Sequence, residues 1–285
     1  MADTRVLRAG LRFGEGPRRA PDGRLFYSDF YDREVHAIDL ATGEDEVVCA
    51  VPGQPSGLGW LPDGRLLVVS MTDRRVLRLE DGGLVEHADL GGIATFHAND
   101  MLVDPHGRAY VGNFGFDLHA ALAAGGEAAL LEPGWTAPGT PLALVRPDGA
   151  VGVAAEDLKF PNGTVLLADG GLVVAETLAF RLTRFDVAED GALSGRRVWA
   201  ELREHLIAPD GIAVDPGGGL WVAPALQPFA FHVEEGGRIT RKVETSQACF
   251  AVAVVDGTLV CCTAPTSQPE VVAGARLGKL EVFDL

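Results

Sequence analysis

The sequence predicts an all-β chain, a six-bladed β-propeller closed by pairing of its N- and C-terminal strands, on three observations. A turn ending in glycine, followed by an apolar β-prone run, recurs six times in 285 residues. The recurrences are 41, 43, 63, 48 and 39 residues apart, close to the roughly 40–45 residues that a four-stranded blade occupies. Sustained amphipathic helical patterns are scarce.

The repeats read PDGRLFYSD, PDGRLLVVS, PHGRAYVGN, ADGGLVVAE, PGGGLWVAP and VDGTLVCCT, aligned on Gly23, Gly64, Gly107, Gly170, Gly218 and Gly257. Each is read as two strands about an Asp-Gly type turn, followed by further strand-like segments such as EVHAIDL at 34–40 and EDEVVCA at 44–50. The one long interval holds an insertion at residues 116–140, expected as a loop or short helix projecting from one face. Its best helical stretch, HAALAAGGEAALLE at 119–132, is interrupted by two glycines and gives way to the irregular EPGWTAPGTP. The last strand, KLEVFDL at 279–285, has too few successors to finish a blade, so TRVLRAG at 4–10 is expected to complete it and close the ring. The whole chain, 1–285, is then one domain.

Stepping back eight residues from each aligned glycine gives Glu15, Ser56, Asn99, Asn162, Asp210 and Cys249. In a radial array these equivalent positions near the start of the innermost strands face one another around the axis. Four of the six are carboxylates or carboxamides, and in four copies the next residue is glycine, which suggests crowding or unusual dihedrals at the channel. Asn and Asp beside Gly most often simply make turns. Four oxygen-bearing groups at one repeat position point instead to a site. Two carboxylates buried on an axis without a cation would be costly, so a divalent metal is the expected compensation. Carboxylates with amide oxygens suit Ca²⁺, Mg²⁺ or Mn²⁺, with Zn²⁺ or Fe²⁺ as alternatives.

Composition narrows the partners. With 24 basic and 40 acidic residues, a net charge of -16 repels nucleic-acid phosphates and anionic lipid surfaces. No stretch reaches the roughly 18 apolar residues of a membrane span, and MADTRVLRAG has no apolar leader core, so a cytoplasmic protein is expected. Cys49, Cys249, Cys261 and Cys262 lack CxxC spacing and read as buried thiols, the last two pointing to opposite faces of a strand. The Asn162-Gly163-Thr164 sequon reads as coincidence without a secretion signal.

In that register, EGP at 15–17, ND at 99–100, PNG at 161–163 and PDG at 209–211 make the chain resemble the SMP-30/gluconolactonase family along nearly its whole length. The resemblance implies a lactonase, a metal-dependent carboxylic ester hydrolase acting on a small lactone or ester. Glu15, Asn162 and Asp210 would hold the metal, Ca²⁺ first, and Asn99 would reach it through water or hold substrate. Asp210 would double as general base or orient the attacking water. Asp117 in NFGFD would bond a substrate hydroxyl. Where sugar-lactone members often carry arginine two residues before Asn-Asp, this chain has His97, read here as a substrate contact with proton transfer or packing as alternatives. The absence of GxSxG, HExxH and GxGxxG agrees with this chemistry.

Aromatics near these motifs, Phe96, Phe114, Phe116, Trp135, Phe160, Phe229 and Phe231, suggest a pocket less polar than one made for a bare sugar. Two other readings stay open: a metal enzyme of a different reaction type on a natural-product intermediate, and a non-catalytic binding propeller.

Overall fold

The computed structural model describes residues 5–130, 132 and 134–285. After β1 (Arg5–Leu11), the first blade is β2 (Gly14–Arg19), β3 (Leu25–Asp29), β4 (Glu34–Ile38) and β5 (Asp45–Ala50). The second is β6 (Pro55–Trp60), β7 (Leu66–Ser70), β8 (Arg75–Glu80) and β9 (Gly83–Asp89). The third is β10 (Ala98–Val103) and β11 (Ala109–Asn113), then after helix α1 (Leu118–Leu130) the strands β12 (Thr140–Val145) and β13 (Val151–Leu158). The fourth holds β14 (Pro161–Leu166), β15 (Leu172–Glu176), β16 (Arg181–Val187) and β17 (Leu193–Glu201). The fifth holds β18 (Ile212–Val214), β19 (Leu220–Val222), β20 (Phe229–Val233) and β21 (Ile239–Glu244). The sixth has β22 (Ala248–Val255), β23 (Thr258–Ala264) and, beyond the short helix α2 (Pro269–Val272), β24 (Gly278–Asp284). Its fourth strand is β1, antiparallel to β24 with Arg5 opposite Val282 and Leu11 opposite Gly278, so the chain ends close the ring as expected.

Each sheet is an antiparallel meander, and each turn glycine of the six repeats has positive φ, from 77° at Gly107 to 102° at Gly218. A side chain there would be strained, which is why the glycine recurs. Hydrophobic clusters fill every gap between neighbouring blades. Cys261 packs toward the fifth blade and Cys262 toward the first, the opposite faces that adjacent strand residues must take. All four cysteines are free thiols, three buried and Cys49 half-buried.

The innermost strands touch around the axis, each on the next. A Cβ at Gly57 would lie 2.3 Å from the Met101 nitrogen, and one at Gly163 2.5 Å from the Asp210 carbonyl oxygen. Backbone crowding therefore accounts for the glycine after the ring position. In five of the six blades the ladder between first and second strands shifts register at that position, between Glu15 and Arg18, Pro55 and Leu58, Ala98 and Met101, Pro161 and Thr164, and Cys249 and Ala251. A repeated bulge of this kind turns side chains out of the sheet and into the channel.

The insertion folds back over one mouth of the channel. Asp117 caps α1, its carboxylate accepting from the Ala120 nitrogen at 2.9 Å, and Gly126 at φ 66° and ψ 179° interrupts the helix. Among the described residues no helix is long and apolar enough to cross a membrane.

One substitution and one deletion test this architecture. Gly57→Ala should destabilise the fold by about 1–3 kcal/mol through overpacking, read from the urea midpoint. Deleting residues 1–11 should expose the β24 edge and lower Tm more than Gly57→Ala does, in one cooperative transition if the ring behaves as a unit.

Candidate active site

Five of the six ring residues, Glu15, Ser56, Asn99, Asn162 and Asp210, line one cavity of about 330 Å³ at the mouth of the channel. That is near the lower end of the roughly 300–1,000 Å³ usual for small-molecule sites. Cys249 is instead buried in the core between the fifth and sixth blades, and Phe250 faces the cavity beside it. Inter-blade hydrogen bonds fix the ring: Gly163 N–H donates to the Asp210 carbonyl at 3.2 Å, and Gly211 N–H to that of Phe250 at 2.9 Å.

The floor is a cluster of buried acids. Glu15, Asp100 and Asp210 are all buried and all line the cavity. Burial, then the charges of Asp210 and Asp100, holds the Glu15 carboxyl well above its usual range, opposed by the Gly16 N–H donating to it at 3.1 Å. Burial, then Asp100, does the same to Asp210, opposed by a hydrogen bond from Asn162. Asp100 is itself raised by burial, with Arg18 pulling the other way. Sequence reasoning left Asp100 unassigned, although it occupies the position that is glycine in four other repeats. A carboxylate where the pattern demands no side chain was the available signal.

The amide groups complete the floor. Asn162 Nδ2 donates to Thr177 Oγ1 at 3.2 Å, and that hydroxyl donates to the Pro209 carbonyl at 2.7 Å. Asn99 is buried with neither amide atom in a hydrogen bond, and the Ser56 hydroxyl is likewise unpartnered. A buried amide left unpaired costs about 1–3 kcal/mol per group. Among the described residues no trio drawn from His, Cys, Asp and Glu alone is grouped to hold an ion. The candidate set is mixed, with two carboxylates and amide oxygens. Oxygen donors, mutual repulsion and unsatisfied polar atoms all fit a hard divalent cation with its water or substrate.

The cavity wall comes from the residues two before the ring, on the loops that lead into the innermost strands. Phe13, Gln54, His97, Phe160 and Ala208 hold these places. Two buried acids anchor the loops that carry the phenylalanines: Asp29 accepts from the Phe13 nitrogen at 3.0 Å, and Glu176 from that of Lys159 at 2.9 Å. Phe160, at φ 59°, and Phe180, at φ 57°, are held in the left-handed region, where a bulky residue is strained by about 1–3 kcal/mol.

His97 stacks on Phe96 with ring centroids 4.2 Å apart and meets Phe114 edge-on at 5.9 Å. Burial pushes its pKa down, as it does that of His119, favouring neutral imidazoles. The Nδ1 atom of His97 is buried without a partner. Asp117 is exposed and spends its carboxylate on the helix cap, outside the cavity lining. Of the aromatics singled out from sequence, Phe114 and Phe160 line the cavity and Phe96 backs it, whereas Phe229 and Phe231 pack together in the fifth blade. Phe116 and Trp135 pair with each other at 6.2 Å within the insertion.

A model of the SMP-30/Gluconolactonase/LRE-like region matches residues 13–261, and the chain belongs to that family. Over 227 residues it is 32% identical to the pentonolactonase XacC of Haloferax volcanii, covering 78% of this chain and 70% of that protein. A luciferin-regenerating enzyme structure superposes with a TM-score of 0.80 at 17% identity, covering 100% of this chain and 96% of that one. A calcium-binding regucalcin from Agrobacterium tumefaciens gives 0.76 at 22% identity, covering 100% and 96%. The two structures establish the fold they share with this chain.

The raised carboxyls make a stability prediction. Glu15 and Asp210 hold protons more tightly folded than unfolded, so chelator-treated protein should lose stability as pH rises from about 4 through their elevated values. Glu15→Gln removes one of these charges. It should raise the Tm of metal-free protein at neutral pH, with the gain shrinking toward pH 4; an equal loss of Tm at both pH values would deny that the floor is electrostatically strained.

Proposed function

We propose that this member of the SMP-30/gluconolactonase family is a divalent-metal-dependent lactonase, with Glu15, Asn162 and Asp210 holding the ion. The observation that carries the reading is the floor itself, where buried, mutually repelling carboxylates adjoin the unpartnered amide of Asn99 in a single cavity. The kinship with a pentonolactonase supports lactone as the substrate class. Regucalcin, described as calcium-binding, supports Ca²⁺ as the first ion to try, with Mg²⁺, Mn²⁺, Zn²⁺ and Fe²⁺ behind it.

When bound, such a cation supplies Lewis acidity that polarises an ester carbonyl and lowers the pKa of water. The chain's own groups do the rest. Asp210 would accept the proton of the attacking water. The Asn99 amide donates to or accepts from the substrate, since no protein group competes for it. Asn162 is oriented by Thr177, which fixes the amide in one rotamer. The aromatic wall excludes bulk water and strengthens these interactions. His97, neutral and unpartnered at Nδ1, hydrogen-bonds the substrate, while Asp117 acts only through the placement of α1.

Chelator-stripped protein should be inactive on a panel of sugar, aliphatic and aromatic lactones and regain turnover with one of these ions. Asp210→Asn should reduce kcat by about 10²–10⁴-fold, the range of a lost general base, and Glu15→Gln should weaken metal binding in calorimetry. Ser56→Ala should retain turnover. Near-normal rates in both acidic-site variants would remove the site, and a silent panel with folded, metal-bound protein would remove the lactonase.

A further inference from the structure

We infer that the site opens lactones bearing a hydrocarbon substituent in preference to polyhydroxylated sugar lactones. This rests on the lactonase reading and names the substrate class within it. Above the polar floor the cavity divides into two unequal sides. The first three blades and α1 supply Tyr31, Gln54, His97 and His119, set among the apolar Met71 and Phe114. The fourth, fifth and sixth blades supply Phe160, Leu178, Phe180, Ala208, Leu226 and Phe250. On that second side the Thr177 hydroxyl is already engaged by Asn162 and Pro209, and the remaining polar side chain, Ser267, lies at the α2 rim.

A sugar lactone presents hydroxyls around its ring, so those turned toward the apolar side would be buried without partners. Each such hydroxyl lowers affinity roughly five- to 150-fold. A hydrocarbon arm on the same face gains about fourfold per buried methylene. The apolar side is also preformed. Phe160 is held in the left-handed region next to Lys159, whose nitrogen is bound by Glu176, and Glu176 is itself fully buried and paired with Arg181 at 2.8 Å and Arg196 at 3.2 Å. That network fixes the backbone from which the ring projects. Leu118, Leu122 and Leu130 of α1 extend the apolar surface over the mouth. A cavity of about 330 Å³ accommodates a monocyclic or bicyclic lactone with a short arm. The preference separates this chain from the pentonolactonase to which it is related.

The test uses metal-reconstituted full-length protein and measures kcat/KM on γ-butyrolactone, γ-hexalactone, γ-nonalactone and dihydrocoumarin against xylonolactone and gluconolactone. The expected result is a rise of about fourfold per methylene over the first few carbons, with both sugar lactones below the alkyl series. Calorimetry with the matching alkyl lactams, which resist hydrolysis, should show the same tightening with chain length. Leu122→Gln should raise KM for nonalactone more than for butyrolactone; an equal effect on both overturns the proposal, as does sugar-lactone hydrolysis exceeding that of every alkyl lactone. Silence on all six compounds overturns the lactonase reading and this inference together, whereas sugar-only activity overturns this inference alone.

Discussion

The close approach of six innermost strands around one axis is the constraint on which the rest of the molecule depends. Here the inner edges of six twisted antiparallel sheets, packed face to face, come within backbone contact. Gly57 and Gly163 record that demand, since a single methyl group at either would overlap the backbone of the next blade. The same demand forces the repeated register shift at the ring position, and the shift aims one side chain per blade at the channel mouth. Ring closure through β1 and β24 then ties the two chain ends together, because the circle cannot open there without parting that ladder.

Convergence creates the electrostatic problem that defines the site. Side chains that meet on an axis lose their water, and three of those here are acids: Glu15, Asp100 and Asp210. Like charges in a dry cavity disfavour ionisation, as the raised carboxyls of all three record. Such a floor is a poor core and a good cation seat. The fold tolerates it because six apolar interfaces between blades surround it and carry the packing.

The layer above the floor shows how specificity is separated from chemistry. Two residues before each ring position, on the loops that enter the inner strands, the lining leaves the ring of oxygen donors. Phe13 and Phe160 there are pinned by Asp29 and Glu176, acids that act through the backbone nitrogens of the loops they hold. The insertion adds leucines at the rim without contributing to the floor. Changes in this upper layer would retune the substrate while leaving the oxygen donors in place.

The sequence by itself determined the repeat, the turn glycines, the closing partnership of the chain ends and the ring of equivalent positions, because each follows from a local pattern recurring at a fixed period. It also exposed the glycine after four of the six ring residues, and the opposed faces of Cys261 and Cys262. The remaining features depend on contacts between segments far apart in the chain. That Asp117 caps α1 through one carboxylate oxygen, and stands outside the cavity lining, could be seen only in the folded chain. Cys249 shared the ring register but turned into the core, and Phe250 took its place. Asp100 joined the acidic floor, and Phe13, Phe30, Phe180 and Phe250 joined Phe114 and Phe160 around the cavity, only when separate blades brought them together. Periodicity states which residues are equivalent; the direction and neighbours of each side chain are set by the close packing of all six blades at once.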